Sequence, residues 1–186
     1  MGLIIAGAII LLILIIGIYL GATYNSLVKL KNSVEEAFST MDVYLKMRWD
    51  LIPNIVESVK GYAKHEAQTL ERVISARNMR YSDMTSDEKL QANTELSRGL
   101  ASIQVLAEQY PDLKSNQNFL DLNEQLSQTE EDIANARKYY NAVVRDYNNK
   151  TEMFPSSIVA GMFKFGKRQM FVIENEAEKE AVRVQF

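Results

Sequence analysis

The sequence has no cysteine, one histidine, three prolines and eight glycines among 186 residues. Without cysteine it has no disulfide, no thiolate-held metal and no thiol nucleophile. The lone histidine, His65, is followed by Glu66, but the second histidine of an HExxH zinc motif is replaced by Thr69, and one imidazole does not make a usual catalytic zinc site. His65 therefore reads as a surface or helix-packing residue. GxxxxGK[ST], GxGxxG and GxSxG are all missing, which removes the phosphate loops and the hydrolase elbow. Ser, His and Asp show no spacing that would bring them together as a triad. The apolar stripes carry none of the Glu-x-x-His pairs of a di-metal bundle. An enzyme is not expected, and no catalytic, cofactor-binding or metal-ligating residue is assigned.

A surplus of charge is also lacking. Lys and Arg total 21 against 24 Asp and Glu, a net charge of −3, so the cationic face that nucleic-acid binding requires is not expected. The few prolines, Pro53, Pro111 and Pro155, lie far apart, and Gly2, Gly7, Gly17 and Gly21 crowd the N-terminus. What remains is a helical chain with few breaks.

The dominant feature is the uncharged run from Gly2 to Ala22, GLIIAGAIILLILIIGIYLGA. As a helix it is roughly 31 Å long, enough to cross a bilayer's hydrocarbon core. A cleaved signal peptide fits less well, because no basic residue precedes the run, the apolar core is too long and Leu20 stands where a small residue is needed. Residues 1–23 are thus expected to be a single-pass anchor in the cell membrane. Gly17 and Gly21 form a GxxxG pair that suits close helix approach and self-association, and Tyr19 and Tyr24 suit the lipid–water interface. Lys29 and Lys31 follow the run and no Lys or Arg precedes it, which favours an outside N-terminus and a cytoplasmic domain.

Residues 24–150 read as one helical domain. Leu27, Leu30, Val34, Ala37, Met41 and Tyr44 recur in steps of three and four, with Phe38 and Leu45 beside them, giving a helix with one apolar face. Pro53 is expected to break or kink it, and Asp50 to cap a second helix running to about Tyr81. That helix would bury Ile55, Val59, Tyr62, Leu70 and Val73, with Ile74 and Ala63 beside them. Thr85 and Glu88 have the form of a capping box that opens a third helix carrying Leu96, Leu100, Ile103 and Ala107, which stops at Tyr110 before Pro111. The fourth stripe is the clearest: Phe119, Leu122, Leu126, Thr129, Ile133, Ala136, Tyr140, Val143 and Tyr147. The expected fold is all-α, an N-terminal transmembrane helix followed by an elongated antiparallel four-helix bundle of the up-and-down type. The stripe also crosses Pro53 in step, so two kinked long helices forming one tall hairpin is the competing geometry. Arg48 occupies a stripe position, and its head is expected to snorkel to solvent rather than pair across helices.

Residues 151–186 differ in character. Phe163, Lys164, Phe165, Lys167, Arg168 and Phe171 mix aromatic and basic side chains in a way that suits a membrane interface or a partner's groove. An even number of helices would return this segment toward the bilayer. The acidic end closes with Val182, Val184 and Phe186, an alternation fit to add a strand to a partner's sheet.

Three long stretches carry a resemblance to a known family: YNSLVKLKNSVEEAFSTMDVYLKMRWDLIPNIVESVKGYAKHE, YPDLKSNQNFLDLNEQLSQTEEDIANARKYYNAVVRDYN, and FPSSIVAGMFKF with the terminal VQF. The chain resembles the LemA family over nearly its whole length. Trp49 stands where a tyrosine is commoner, and the tail is more acidic. The resemblance implies an N-terminal anchor and a four-helix bundle, and it favours the bundle over the tall hairpin. It implies no activity and supplies no catalytic residue. The family's association with HtpX-type membrane zinc metalloproteases implies a partner of that kind. The expected function is a membrane-anchored scaffold or adaptor, self-associating and bound to lipid and to a membrane protein partner. The alternative is a tethered sensor whose bundle encloses a small ligand.

Overall fold

The structure is a computed structural model and describes residues 1–63, 66–75 and 80–171. His65 and the tail residues Val182, Val184 and Phe186 lie outside the described residues. Among the described residues there are helices, turns and bends but no strand. The helices are α1 (Gly2–Lys60), α2 (Ala67–Ser75), α3 (Ser86–Gln109), α4 (Pro111–Lys114), α5 (Gln117–Glu152) and α6 (Ser156–Met162), with a 3₁₀ turn at Tyr81–Asp83. The all-helical class is as the sequence pattern predicts, whereas the helix lengths are not. In place of four comparable helices, α1 has 59 residues, α2 has 9, α3 has 24 and α5 has 36.

Pro53 does not divide the first helix but lies inside α1. A proline in a helix interior costs about 3 kcal/mol through its missing donor and its clash with the preceding turn. Around it Ile52, Ile55, Val56 and Val59 are each no more than 2% exposed. At about 1.5–3 kcal/mol per buried aliphatic side chain, the packing outweighs the proline. The helix ends instead at Lys60. Gly61, a poor helix former, follows, and the amides of Tyr62 and Ala63 both close on the carbonyl of Val59 at 3.0 and 2.9 Å.

The chain forms two compact units. The first comprises Met1–Met47 and Ser127–Met170. Here α1 and α5 run antiparallel, as the ring contact of Phe38 with Tyr140 at 5.9 Å and the meeting of Leu30 with Asn149 at one cleft show. Their buried stripes are Leu27, Val34, Ala37, Met41 and Leu45 on α1, and Thr129, Ile133, Tyr140, Val144 and Tyr147 on α5.

The second unit comprises Arg48–Leu126 with Phe171. Trp49 stacks at a tilt on Tyr81, 5.4 Å between centroids, and at the far end of α1 the Tyr62 hydroxyl accepts a bond from Asn116 Nδ2 at 2.9 Å. Within this unit the chain advances along the last turns of α1, returns through α2, advances again on α3 and turns into the start of α5. A methyl group at Gly99 would stand 3.1 Å from Cγ2 of Val73, so glycine lets α2 sit close on α3. Tyr62 and Ile74, expected to be buried, are 41% and 49% exposed, because the helix that would have aligned them is interrupted.

Local signals place the helix starts. Thr85 Oγ1 accepts from the Glu88 amide at 3.3 Å, and Glu88 Oε2 accepts from the Thr85 amide at 2.7 Å, completing the capping box at the start of α3. These bonds to the carboxylate hold Glu88 below its ordinary pKa. Asn116 Oδ1 accepts from the Phe119 amide at 3.1 Å, an N-cap for α5.

Arg48 is where the structure departs furthest from the sequence pattern. Its side chain does not snorkel; the residue is 2% exposed. The guanidinium donates to Asn93 Oδ1 at 2.6 Å from Nη2, to the Asn93 carbonyl at 2.8 Å and to Ser97 Oγ at 2.9 Å. Asn93, 0% exposed, donates in turn to the Lys89 carbonyl at 2.9 Å. Polar partners on α3 meet Arg48 at its own level, so the cost of burying its charge is offset by hydrogen bonds.

Candidate functional site at the foot of the apolar helix

The first turns of α1 are a helix of aliphatic side chains with nothing packed on them. It is the one described helix long and apolar enough to cross a membrane, with none of its most apolar window buried. Leu3, Ile13 and Ile18 are 92%, 63% and 72% exposed. Gly17 and Gly21 share a face of α1, and nothing lies within 4 Å of where their side chains would project.

Packing begins at the end of this run. Leu27 on α1 and Val159 and Ala160 on α6 form a buried cluster, with Leu20 and Phe165 packed against it. Tyr24 faces Phe163 at 4.7 Å and Phe165 at 5.8 Å between ring centroids. The aromatic pair expected near an interface is thus brought to the foot of the apolar helix, although Phe163 and Tyr24 are far apart in sequence.

The turn that delivers Phe165 is a Schellman motif at the end of α6. The Phe165 amide donates to the Ala160 carbonyl at 2.9 Å and the Lys164 amide to the Gly161 carbonyl at 3.3 Å. Lys164 occupies the left-handed position that glycine normally takes, with φ 58°. No glycine marks the position in the sequence, which hides the motif from a sequence reading.

Beyond the motif, residues 166–169 run along α5 as a strap. Asn148 clamps it reciprocally: Nδ2 donates to the Arg168 carbonyl and Oδ1 accepts from the Arg168 amide, both at 2.9 Å. The Tyr147 hydroxyl donates to the Gly166 carbonyl at 3.0 Å, and the Tyr140 hydroxyl to the Gln169 carbonyl at 2.9 Å. Burial, opposed by the nearby Arg168 charge and reinforced by Glu35, raises the Tyr147 pKa. The clamp residues repeat on one face of α5, where the apolar stripe signals packing but gives no hint that the tyrosine hydroxyls and Asn148 bond a distant backbone.

The basic residues of the segment divide. Lys167 pairs with Glu152 at 2.9 Å and Arg168 with Glu35 at 3.5 Å, exposed pairs worth about 0–1 kcal/mol. Lys164 is exposed and makes no ion pair among the described residues. Phe171, expected beside them, is 8% exposed and belongs to the other unit. A cleft of about 410 Å³, open to solvent, lies beside the collar between Tyr19 and Leu30 of α1 and Asp146, Asn149, Lys150 and Met153–Ser156. It is not the enclosed pocket that a ligand sensor calls for. Among the described residues no group of three or more His, Cys, Asp or Glu side chains converges on a metal position.

These features define an all-helical protein with one apolar N-terminal helix, at the end of which Tyr24 meets Phe163 and Phe165 in an aromatic collar on one side. The chain belongs to the LemA family, whose model matches residues 37–186. It is also similar to Protein LemA of Metamycoplasma hominis, 30% identical over 146 residues that cover 77% of this chain. The match spans 65% of that relative's length.

Proposed function

We propose that this protein is a single-pass, membrane-anchored helical scaffold. The observation that carries the reading is the wholly unburied apolar run at the start of α1. Left in water such a surface is costly, whereas each leucine or isoleucine near a bilayer's centre gains about 0.3–0.6 kcal/mol on insertion. The run leads directly into a packed helix pair, so the anchored part is folded protein and not a flexible leash. The one-sided Lys29 and Lys31 support a cytoplasmic domain with the N-terminus outside. Gly17 and Gly21, open on one face, support self-association in the membrane. A membrane protein, such as a metalloprotease of the HtpX type, is the partner class suggested by family association alone.

Alkaline carbonate extraction of cell membranes tests the anchor: the full chain stays in the pellet, and deletion of residues 2–22 releases it. Release of the intact chain would sink the proposal. A cysteine placed at Asp83 and treated in intact cells with an impermeant thiol reagent tests orientation, and labelling from outside reverses it. Sizing in mild detergent tests assembly, and a lone monomer with no co-purifying protein removes the scaffold reading.

A further inference from the structure

We infer that α6, with the turn before it, is a second membrane-contact element, lying in the headgroup layer beside the end of the apolar run and presenting Phe154, Ile158 and Met162 to lipid. The inference rests on the reading that the run spans the bilayer. Phe154 is 81%, Ile158 54%, Met162 63% and Phe163 51% exposed. Ile158 and Met162, four residues apart, share one side of α6, Phe154 stands in the turn just before the helix, and Phe163, at the helix end, turns toward Tyr24. The other side of α6, Val159 and Ala160, is buried on Leu27. A short segment that spends one apolar side on its own core and leaves a second apolar side open is normally covered by something.

Depth identifies the cover. Leu27 lies five residues beyond Ala22, or about 7.5 Å along the helix. A bilayer with a hydrocarbon core of about 30 Å and a full thickness of about 40–45 Å has an interfacial layer of about 5–8 Å on each side. The cluster that seats α6 on α1 includes Leu20, within the run, and Leu27, at the outer edge of that layer, so α6 is held at headgroup depth. Tyr19 and Tyr24 are the residues of an aromatic belt common at that depth.

Charge agrees. From Met153 to Met170 no acidic residue occurs, and the charged residues are Lys164, Lys167 and Arg168. Lys167 and Arg168 are engaged by carboxylates, and Lys164, next to Phe163, projects free of ion pairs among the described residues, suited to an anionic headgroup. Within the aromatic–basic segment the proposed membrane contact thus centres on residues 154–164.

Tryptophan quenching by brominated lipid tests the inference on the full chain. Ile158→Trp, and separately Phe154→Trp, are reconstituted in phosphatidylcholine–phosphatidylglycerol vesicles whose acyl chains carry bromine either near the headgroup or near the chain end. The wild-type protein, with Trp49 as its native tryptophan, gives the baseline, and Leu12→Trp reports the span. The expected result is quenching of both α6 tryptophans above baseline, about twofold stronger for shallow than for deep bromine, with Leu12→Trp quenched best by deep bromine. Quenching of Leu12→Trp with both α6 tryptophans at baseline overturns the inference and leaves the anchor intact, a second protein being then the cover. Both α6 tryptophans responding best to deep bromine also overturns it. All three at baseline overturn the anchor and the inference together.

Discussion

Nη2 of Arg48 lies 2.6 Å from Oδ1 of Asn93, and both residues are almost fully shielded from solvent. The pair is asymmetric, a buried charge bonded to a neutral amide. Asn93→Leu leaves the guanidinium short of partners and is expected to cost about 3–5 kcal/mol, the penalty of an uncompensated buried charge. Arg48→Met removes the charge and leaves neutral acceptors, those of Asn93 and Ser97, without their donor, for about 1–3 kcal/mol. The double variant is expected to be more stable than Asn93→Leu alone. Chemical unfolding of the detergent-solubilised protein measures all three, and equal costs for the two single variants would refute the asymmetry.

The clamp at Asn148 is expected to protect the strap from proteolysis. Asn148→Leu deletes both bonds to Arg168, together worth about 1–3 kcal/mol, which raises the open fraction about 5- to 150-fold. Trypsin cuts after Lys167 and Arg168, so the measurement is the rate of cleavage there, followed by mass spectrometry. A rate matching the wild type means that the two bonds do not hold the strap.

Tyr147 predicts alkaline sensitivity. Its folded-state pKa is raised, first by burial, so the fold favours the neutral phenol. The stability linked to this group is complete below the unfolded tyrosine pKa of about 10 and is lost as pH rises through the folded value. Tyr147→Phe forfeits the bond to Gly166, about 1 kcal/mol, at neutral pH. The stability gap between variant and wild type should then narrow above about pH 10. Thermal midpoints taken from pH 8 to 11 give the comparison, and a constant gap contradicts the linkage.

Lys164 in the left-handed region carries a cost that glycine does not. Lys164→Gly is expected to raise stability by about 1 kcal/mol, whereas Lys164→Ala, which keeps the Cβ in the same conformation, brings no such gain. If both variants behave alike in thermal unfolding, strain at this turn is not the cause.

Substituting Gly17 and Gly21 together by isoleucine is expected to shift the protein toward monomer without changing its membrane retention. Neither position touches anything in the protomer, so a change in detergent sizing reports association alone. An unchanged oligomer removes the GxxxG face from consideration.

The parts of this fold legible in the sequence are those governed by neighbours along the chain. The stripe from Phe119 to Tyr147 became α5, and its members Phe119, Leu126, Thr129, Ile133, Tyr140 and Tyr147 are buried. Thr85 and Glu88 formed their capping box, and α3 stopped before Pro111. Pro53 misled because proline's local penalty is visible in the sequence, whereas the burial of Ile52, Ile55 and Val56 that overrides it is tertiary. Gly61 was the available sign of the true end of α1. Arg48 was misjudged for the same reason, since Asn93 and Ser97 reach it only after the chain has folded back. At the collar, the aromatic character of Phe163 and Phe165 was plain, but their meeting with Tyr24 depends on α6 and its turn, and no glycine marks the left-handed residue.

In the first unit the apolar run and the core residues Leu27 to Leu45 share a single helix with no glycine or proline between Ala22 and Met47. Such a shaft transmits torque. If the run turns about its axis within the lipid, the face bearing Leu27 and Val34 turns with it through the same angle, and α5 and α6, packed on that face, are carried around. A partner that gripped Gly17 and Gly21 would thereby also set the compass bearing at which the rest of this unit meets its surroundings.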